Sequence, residues 1–212
     1  MQYELNLNKP ENAYIVGFAQ TDGHLSSGTR NRGKLRFELS DKDADILVKI
    51  QSQIPYNSTI SSRTRNTNFK KNAKSVTLTC CSLEFRQEIS KYVPYGKKSK
   101  IIFAPPGLEE SADYWRGIID GDGSLGFFNG SPYISLNTSS DKLAEQYLHF
   151  INDVLGVKKY SNRNSRDKTY NIIVAGEKAK ILTGKLYYSD CFGLDRKIII
   201  SKEIALWNKT SP

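Results

Sequence analysis

Two aspartates, Asp22 and Asp122, stand at the ends of similar apolar segments, YIVGFAQTDGHL at 14–25 and YWRGIIDGDGSL at 114–125. Gly17 matches Gly117, and Thr21 and Gly121 follow about a turn later. Small residues at these positions let two helix backbones approach closely along a shared seam. Packed side by side, such helices bring Asp22 and Asp122 together at one end. Two adjacent carboxylates repel unless a proton or a cation lies between them. A hard divalent ion that prefers oxygen ligands, Mg²⁺ above all, answers that repulsion. An anion at a helix C-terminus opposes the macrodipole by roughly 0.3–1 kcal/mol, so Asn or Ser would serve the fold better. One Asp-Gly pair alone is equally a helix stop with glycine at the left-handed cap. The recurrence is what points to chemistry.

The elements that must position these carboxylates also occur twice. Each half opens with an apolar helix, around 14–23 and 112–123. Alternating segments follow. In KLRFEL, Lys34, Arg36 and Glu38 share one face and Leu35, Phe37 and Leu39 the other; in YISLN, Tyr133, Ser135 and Asn137 oppose Ile134 and Leu136. That period of two predicts strands with one covered face. Helices with Ser or Asp caps begin at 40–41 and at 139–141. A second strand pair is predicted at 57–66 with 74–81, and again at 158–164 with 168–175. Each half then ends in a helix, SLEFRQEISKYV and GEKAKILTGKLYY. The expected fold class is α+β, with two αββαββα domains at 1–104 and 112–212. APPGLEES provides the 105–111 linker, since Pro105, Pro106 and Gly107 disfavour continuing either element.

Charge is uneven along the 212 residues. The net charge is +9, and the stretch from Tyr56 to Thr79 holds Arg63, Arg65, Lys70, Lys71 and Lys74 with no acid. A basic face of this kind suits a polyanion. The three cysteines, Cys80, Cys81 and Cys191, do not form a disulfide framework and read as reduced packing residues. With no signal peptide, long apolar run or lipidation motif, the expectation is a soluble intracellular protein without a membrane partner.

IVGFAQTDG and WRGIIDGDG resemble the two copies of the motif that defines the LAGLIDADG homing endonuclease family. The second copy is close to the pattern; the first has Gln20 where the pattern has an acid. The resemblance covers nearly the whole chain and implies a pseudo-symmetric pair of αββαββα domains in a monomer. The motif helices, with Gly17 and Gly117, would form the interface, and the antiparallel sheets a saddle over the DNA major groove. It further implies that Asp22 and Asp122 hold Mg²⁺, helped by carbonyls of Thr21 and Gly121, with Mn²⁺ or Ca²⁺ able to substitute for binding. Both strands would be cut across the minor groove, leaving short 3′ overhangs. A basic residue near each cleaved phosphate maps to Lys98, with Lys97 the alternative, in GKKSK, and to Lys197 in LDRK. A position that orders water in the family maps to Asp41 and Ser140.

The saddle reading assigns DNA contacts to Arg30, Arg32, Lys34, Arg36, Glu38, Ser61, Arg63, Arg65, Asn68, Lys70 and Lys71. In the second half it assigns Asn129, Tyr133, Ser135, Asn137, Asn162, Arg163, Arg166 and Lys168. Arg and Lys pair with guanine, Asn with adenine and Glu with the cytosine amino group, while others contact only phosphates. His24 is a backbone or water contact. The expected partner is double-stranded DNA with a long asymmetric target, and the expected gene a mobile-intron or free-standing element. Two alternatives share the fold: an RNA maturase acting on intron RNA, and a DNA-binding protein that does not cleave.

Overall fold

The computed structural model describes residues 4–66 and 71–208. The first half runs α1 (Pro10–Thr21), β1 (Gly23–Leu25), β2 (Leu35–Ser40), α2 (Ala44–Gln53), β3 (Ser58–Arg65), β4 (Ala73–Cys80) and α3 (Leu83–Ile89). The second half runs α4 (Ala112–Asp122), β5 (Gly123–Phe128), β6 (Ser131–Thr138), α5 (Asp141–Leu155), β7 (Tyr170–Ala175), α6 (Glu177–Leu186) and α7 (Asp195–Leu206). Each half folds an antiparallel sheet, ordered β1-β2-β4-β3 in the first and β5-β6-β7 in the second.

Alternation places the strands as expected. Leu35 and Phe37 of β2, with Val76, Leu78 and Cys80 of β4, are buried on the inner face. Ile134 and Leu136 of β6, with Ile172 and Val174 of β7, do the same in the second sheet. Asn129 and Gly130 both take positive φ, 47° and 76°, the two-residue turn that suits the twist of a β-hairpin. α5 shows a helical stripe, burying Leu143, Ala144, Tyr147, Phe150 and Ile151 between an Ser140 N-cap and a left-handed Gly156.

The two motif helices differ from these surface helices. Every residue of α1 from Asn12 to Gln20 is buried, as is every residue of α4 from Tyr114 to Asp120. A helix covered on all sides lies inside the molecule. Here α1 and α4 lie against each other, and one continuous core joins residues of both halves, from Phe37 to Trp115 and Ile134.

Several expected elements are revised. Residues 158–164 form no strand. Their half-buried side is Lys159, Ser161 and Arg163, which offers the core nothing apolar. Asn164 N–H to Thr169 O at 2.7 Å, Lys168 N–H to Asn164 O at 2.9 Å and Arg166 N–H to Asn164 Oδ1 at 2.8 Å shape its end into a turn before β7. Ser40 caps a short 3₁₀ turn at Asp41–Asp43, so α2 starts at Ala44. α3 stops at Ile89, short of Val93. α7 is an additional helix carrying LDRK onward to Leu206. The 105–111 connector is irregular, and the chain already touches the second half before it: Ser139 Oγ donates to Ser99 O, Ser140 Oγ to Ile102 O, and Gln146 brackets Ala104. The cysteines are free thiols, and among the described residues no helix is long and apolar enough to cross a membrane.

Candidate active site and nucleic-acid interface

Backbone contact between α1 and α4 requires their glycines. A Cβ on Gly17 would stand 2.3 Å from Tyr114 O, and one on Gly117 would stand 2.3 Å from Tyr14 O. The same seam carries a reciprocal pair of tyrosines. Tyr14 OH donates to Asp120 Oδ2 at 2.8 Å, and Tyr114 OH donates to Gln20 Oε1 at 2.7 Å. The helices are thereby fixed in register, and both end at the same place.

At that end Asp22 and Asp122 are neighbours. A Cβ on Gly121 would lie 2.4 Å from Asp22 Oδ2, so only glycine leaves room for the first carboxylate against the second helix. Thr21 Oγ1 donates to Phe18 O at 2.9 Å and to Asp22 Oδ2 at 3.3 Å. Asp22 is half-buried and Asp122 faces solvent. Loss of hydration and the nearby Asp122 charge push the Asp22 carboxyl up to about 6, against the opposing pull of Thr21, Lys197 and Lys98. Desolvation also raises Asp122, while Lys98 and Lys197 hold it down. The pair is anionic and under-neutralised.

Each carboxylate has a lysine, and the two lysines sit alike. Lys98 Nζ donates to Thr21 O at 3.0 Å and Gly23 O at 2.5 Å. Lys197 Nζ donates to Ile119 O, to Asp120 O at 3.1 Å and to Gly123 O at 2.9 Å. Both therefore cap the C-terminal carbonyls of a motif helix, supplying the positive charge that the helix end favours. Burial lowers both ammonium groups, Lys197 to about 8, with the surrounding aspartates resisting the shift. Lys98 makes these contacts and Lys97 is exposed, so the geometry separates the two candidates in GKKSK. Thr21 O, a candidate metal ligand, is also one of the carbonyls that Lys98 engages.

The sheets lead away from this point. On the first, the outward rows are His24–Arg36–Thr79–Thr59, Glu38–Thr77–Ser61, Ser40–Ser75–Arg63 and Ala73–Arg65. Glu38 is held by Arg36, by Arg65 at 3.5 Å and by Ser75 Oγ at 3.1 Å, which orients these arginines. Arg30, Arg32 and Lys34 are exposed in the preceding loop. The buried Arg86 guanidinium pins that loop by donating to Ser26 O, Gly28 O and Arg30 O. Lys71 is exposed; Asn68 and Lys70 lie outside the described residues. In the second half Tyr133, Ser135 and Asn137 face outward on β6 and Asn129 sits at the hairpin turn. Asn162 and Lys168 are exposed. Arg163 is tied to Asp141 and Ser139 O, and Arg166 to Asp167.

Residues 109–205 match the family model of the LAGLIDADG-like domain. The homing endonuclease I-WcaI bound to its DNA recognition sequence superposes with a TM-score of 0.62 at 13% identity, covering 94% of this chain and 88% of that one. Mesophilic variants of the homing endonuclease I-DmoI give 0.56 at 11% identity, with 92% and 97% covered. The N-terminal LAGLIDADG domain of DUF199/WhiA gives 0.52 at 15%, with 94% and 89% covered. Sequence comparison with curated proteins finds no match. Residues 109–205 carry a LAGLIDADG-like domain, and the chain shares the fold of these structures over most of its length.

Within this LAGLIDADG fold the departure at Gln20 has a physical reason. Gln20 Nε2 donates to Tyr92 O at 2.8 Å and Phe103 O at 2.9 Å, and an ionised acid has no donor for either carbonyl. Asp120, its counterpart, meets donors only: Tyr14 OH, Tyr187 OH at 2.7 Å and the Leu194 N–H at 2.8 Å. Leu194 is the N-cap of α7, so Asp120 anchors the helix that brings Lys197 to the site. Sequence reasoning missed this role; the signal available to it was the acid-to-amide asymmetry itself. The assigned water-ordering residues are not gathered in. Ser140 is buried, its hydroxyl donating to Ile102 O at 2.6 Å and capping α5 at Leu143 N–H. Asp41 is exposed in its 3₁₀ turn, with Ser40 Oγ at 3.3 Å from its carboxylate. Each lies four positions beyond the strand partner of Gly23 or Gly123, on the order of 10 Å or more along the strand direction.

Proposed function

We propose that this protein is a monomeric, site-specific double-strand DNA endonuclease that hydrolyses phosphodiester bonds with a divalent metal, Mg²⁺ first among the candidates. The observation that carries the reading is the convergence of Asp22 and Asp122 at the junction of the two sheets, each with a lysine beside it. The donor set fits such an ion. Two under-neutralised carboxylates would hold it, with the carbonyls of Thr21 and Gly121 as further oxygens. Among the described residues no cluster of three or more His, Cys, Asp or Glu forms a protein cage. Few protein ligands, with water and phosphate completing the shell, is the Mg²⁺ pattern. When bound, the metal supplies an activated water near neutral pH and neutralises phosphoryl charge.

The remaining tasks fall to this chain's own groups. Lys98 and Lys197, anchored by helix-end carbonyls, add fixed positive charge that stabilises charge developing on the phosphate. The α1–α4 seam sets the separation of the two carboxylates, and so the stagger of two cuts across the minor groove with short 3′ overhangs. The pinned loop carrying Arg30, Arg32 and Lys34 holds phosphates and fixes register. The unlike faces of the two sheets call for a long asymmetric target. The fold shared with I-WcaI, whose structure holds its recognition DNA, supports this reading, as does retention of both carboxylates.

The test is to incubate the protein with a randomised duplex library and Mg²⁺ and to sequence the cut ends. The expected result is a family of related sites with one constant 3′ stagger. Asp22→Asn and Asp122→Asn should bind the recovered site and leave it uncut. Absence of cutting with Mg²⁺ and with Mn²⁺ overturns the endonuclease reading, and full activity in either variant overturns the metal assignment.

A further inference from the structure

The sheets leave the carboxylate pair as matched halves, yet their outer faces differ in kind. The first displays Arg36, Glu38, Arg63 and Arg65. The second, read outward from the Asp122 end, displays the rows Asn137–Asn171, Ser124–Ser135–Ile173, Gly126–Tyr133–Ala175 and Phe128–Ser131. None of these rows contains a charged side chain. Phe128 is 71% exposed and Ile173 45%, and the Tyr133 ring lies flat across Gly126, where a Cβ would meet it at 3.6 Å. The Tyr133 hydroxyl is 3.2 Å from Ser124 Oγ, which fixes the ring in that position. Phe128, Tyr133, Ile173 and Ala175 together line an open apolar depression of about 370 Å³. Basic side chains, Arg166 and Lys168, stand exposed at the margin, in the turn before β7.

Resting on the endonuclease reading above, we infer that the C-terminal sheet recognises an A·T-rich half of the target through thymine methyl groups. Tyr133, Ile173, Ala175 and Phe128 supply the apolar contact, and Asn137 and Asn171 read adenine nearest the cut. The major-groove edge decides this. Guanine is best read by Arg or Lys and cytosine by Asp or Glu, adenine takes Asn or Gln, and only thymine offers an apolar group. A face with no charged side chain has neither of the first two. Pressed against G·C edges, the apolar rows would also strip water from base acceptors and donors without replacing the hydrogen bonds, a penalty that discriminates against those bases. Continuity places the face on DNA, because β5 begins at Gly123, directly after Asp122. The basic margin meets phosphates while the centre meets the groove floor. From Asn137 to Ser131 is six residues along β6, about 20 Å, the length of about six base pairs.

The experiment uses the full chain and needs no cleavage. Duplexes bound from a randomised library in EDTA are sequenced, and fluorescence anisotropy then compares the consensus with versions carrying deoxyuridine for thymidine in one half or the other. One half should be A·T-rich. Removing methyls there should weaken binding by about fourfold each, the equivalent of roughly 0.8 kcal/mol per buried carbon, while the other half stays within about twofold. Ile173→Lys should change base preference only in the methyl-sensitive half and Arg63→Ala only in the opposite one. The deoxyuridine arm alters DNA alone, so it stands whether or not a variant folds. Selective binding with this pattern but no cutting would support the inference while the endonuclease reading fails. Methyl removal without effect in either half, or acting in the half governed by Arg63, overturns it. So does the absence of sequence-selective binding, and so does a dimer in sedimentation that Phe128→Glu dissociates.

Discussion

Substituting Gly17 by alanine adds one methyl group at the point where two helix backbones touch. Its carbon would stand 2.3 Å from Tyr114 O and 3.1 Å from Ile118 N. Side-chain carbons essentially never approach closer than 3.0 Å, so α4 must retreat by at least 0.7 Å, and neither obstacle is a flexible side chain. Overpacking of this kind costs about 1–3 kcal/mol and sometimes more; rigid backbone on both sides places it at the upper end. Alanine also returns about 0.8–1 kcal/mol of helix propensity, which leaves a net loss of about 2 kcal/mol. For a chain of this size that is a fall in Tm of about 4–8 °C. Gly184 in α6 is the internal control, because a Cβ there meets nothing within 4 Å. Gly184→Ala should raise Tm by about 2–4 °C on propensity alone. The double variant Gly17→Ala/Gly117→Ala should lose distinctly less than the sum of its parts, because one retreat of α4 accommodates both methyls. Differential scanning calorimetry on wild type, Gly17→Ala, Gly117→Ala, the double variant and Gly184→Ala measures all of this. A Tm for Gly17→Ala at or above wild type, or strict additivity in the double variant, would refute the shared backbone seam.

Asp22→Asn should stabilise the metal-free protein at pH 7–8 and change little at pH 4. The unfolded carboxyl ionises near 3.9 and the folded one only at about 6, so native stability falls as pH rises through that window and stays lower above it. Two units correspond to at most about 3 kcal/mol, reduced by solvent access to the group; thermal melts in EDTA at both pH values check it. Gln20→Glu restores the acid of the motif yet should destabilise by about 2–3 kcal/mol at pH 8, since Tyr92 O and Phe103 O lose their donor and face a buried charge; urea unfolding measures it. Arg63→Ala should lower the slope of log affinity against log salt by about 1, whereas Tyr133→Ala should leave that slope unchanged, both read by anisotropy titrations.

The repeat, the carboxylates and the outward faces were legible because each rests on a local signal. Lys34, Arg36 and Glu38 alternate with Leu35 and Phe37, and a period of two states a strand's face directly. Gly17 and Gly117 mark a close approach that only a second backbone explains. What stayed hidden depends on contacts distant in sequence. Nothing local separates Gln20, which needs donors for Tyr92 O and Phe103 O, from a damaged motif. Asp120 reveals its role only once Leu194 and Tyr187 are brought to it by the fold. The repeat predicts a strand at 158–164, but the side this segment turns inward is polar, Lys159, Ser161 and Arg163, so the core does not support it. Phe128 and Ile173 escaped notice because exposed apolar side chains look like core when read from sequence.

A chain emerging from the ribosome meets a difficulty at its first helix. α1 has no face suited to water from Asn12 to Gln20, and the helix that covers it begins 102 positions later, at Ala112. At synthesis rates of about 5–20 residues per second, that separation is roughly 5–20 s during which α1 is complete and its partner does not yet exist. The sheet β1-β2-β4-β3 can assemble in that interval from contacts within the first half. The docking of α4 in one step shelters α1 and brings the two carboxylates together. The carboxylate pair therefore does not exist before the core that joins the two halves, and a product truncated before α4 exposes an apolar helix to aggregation or to chaperones.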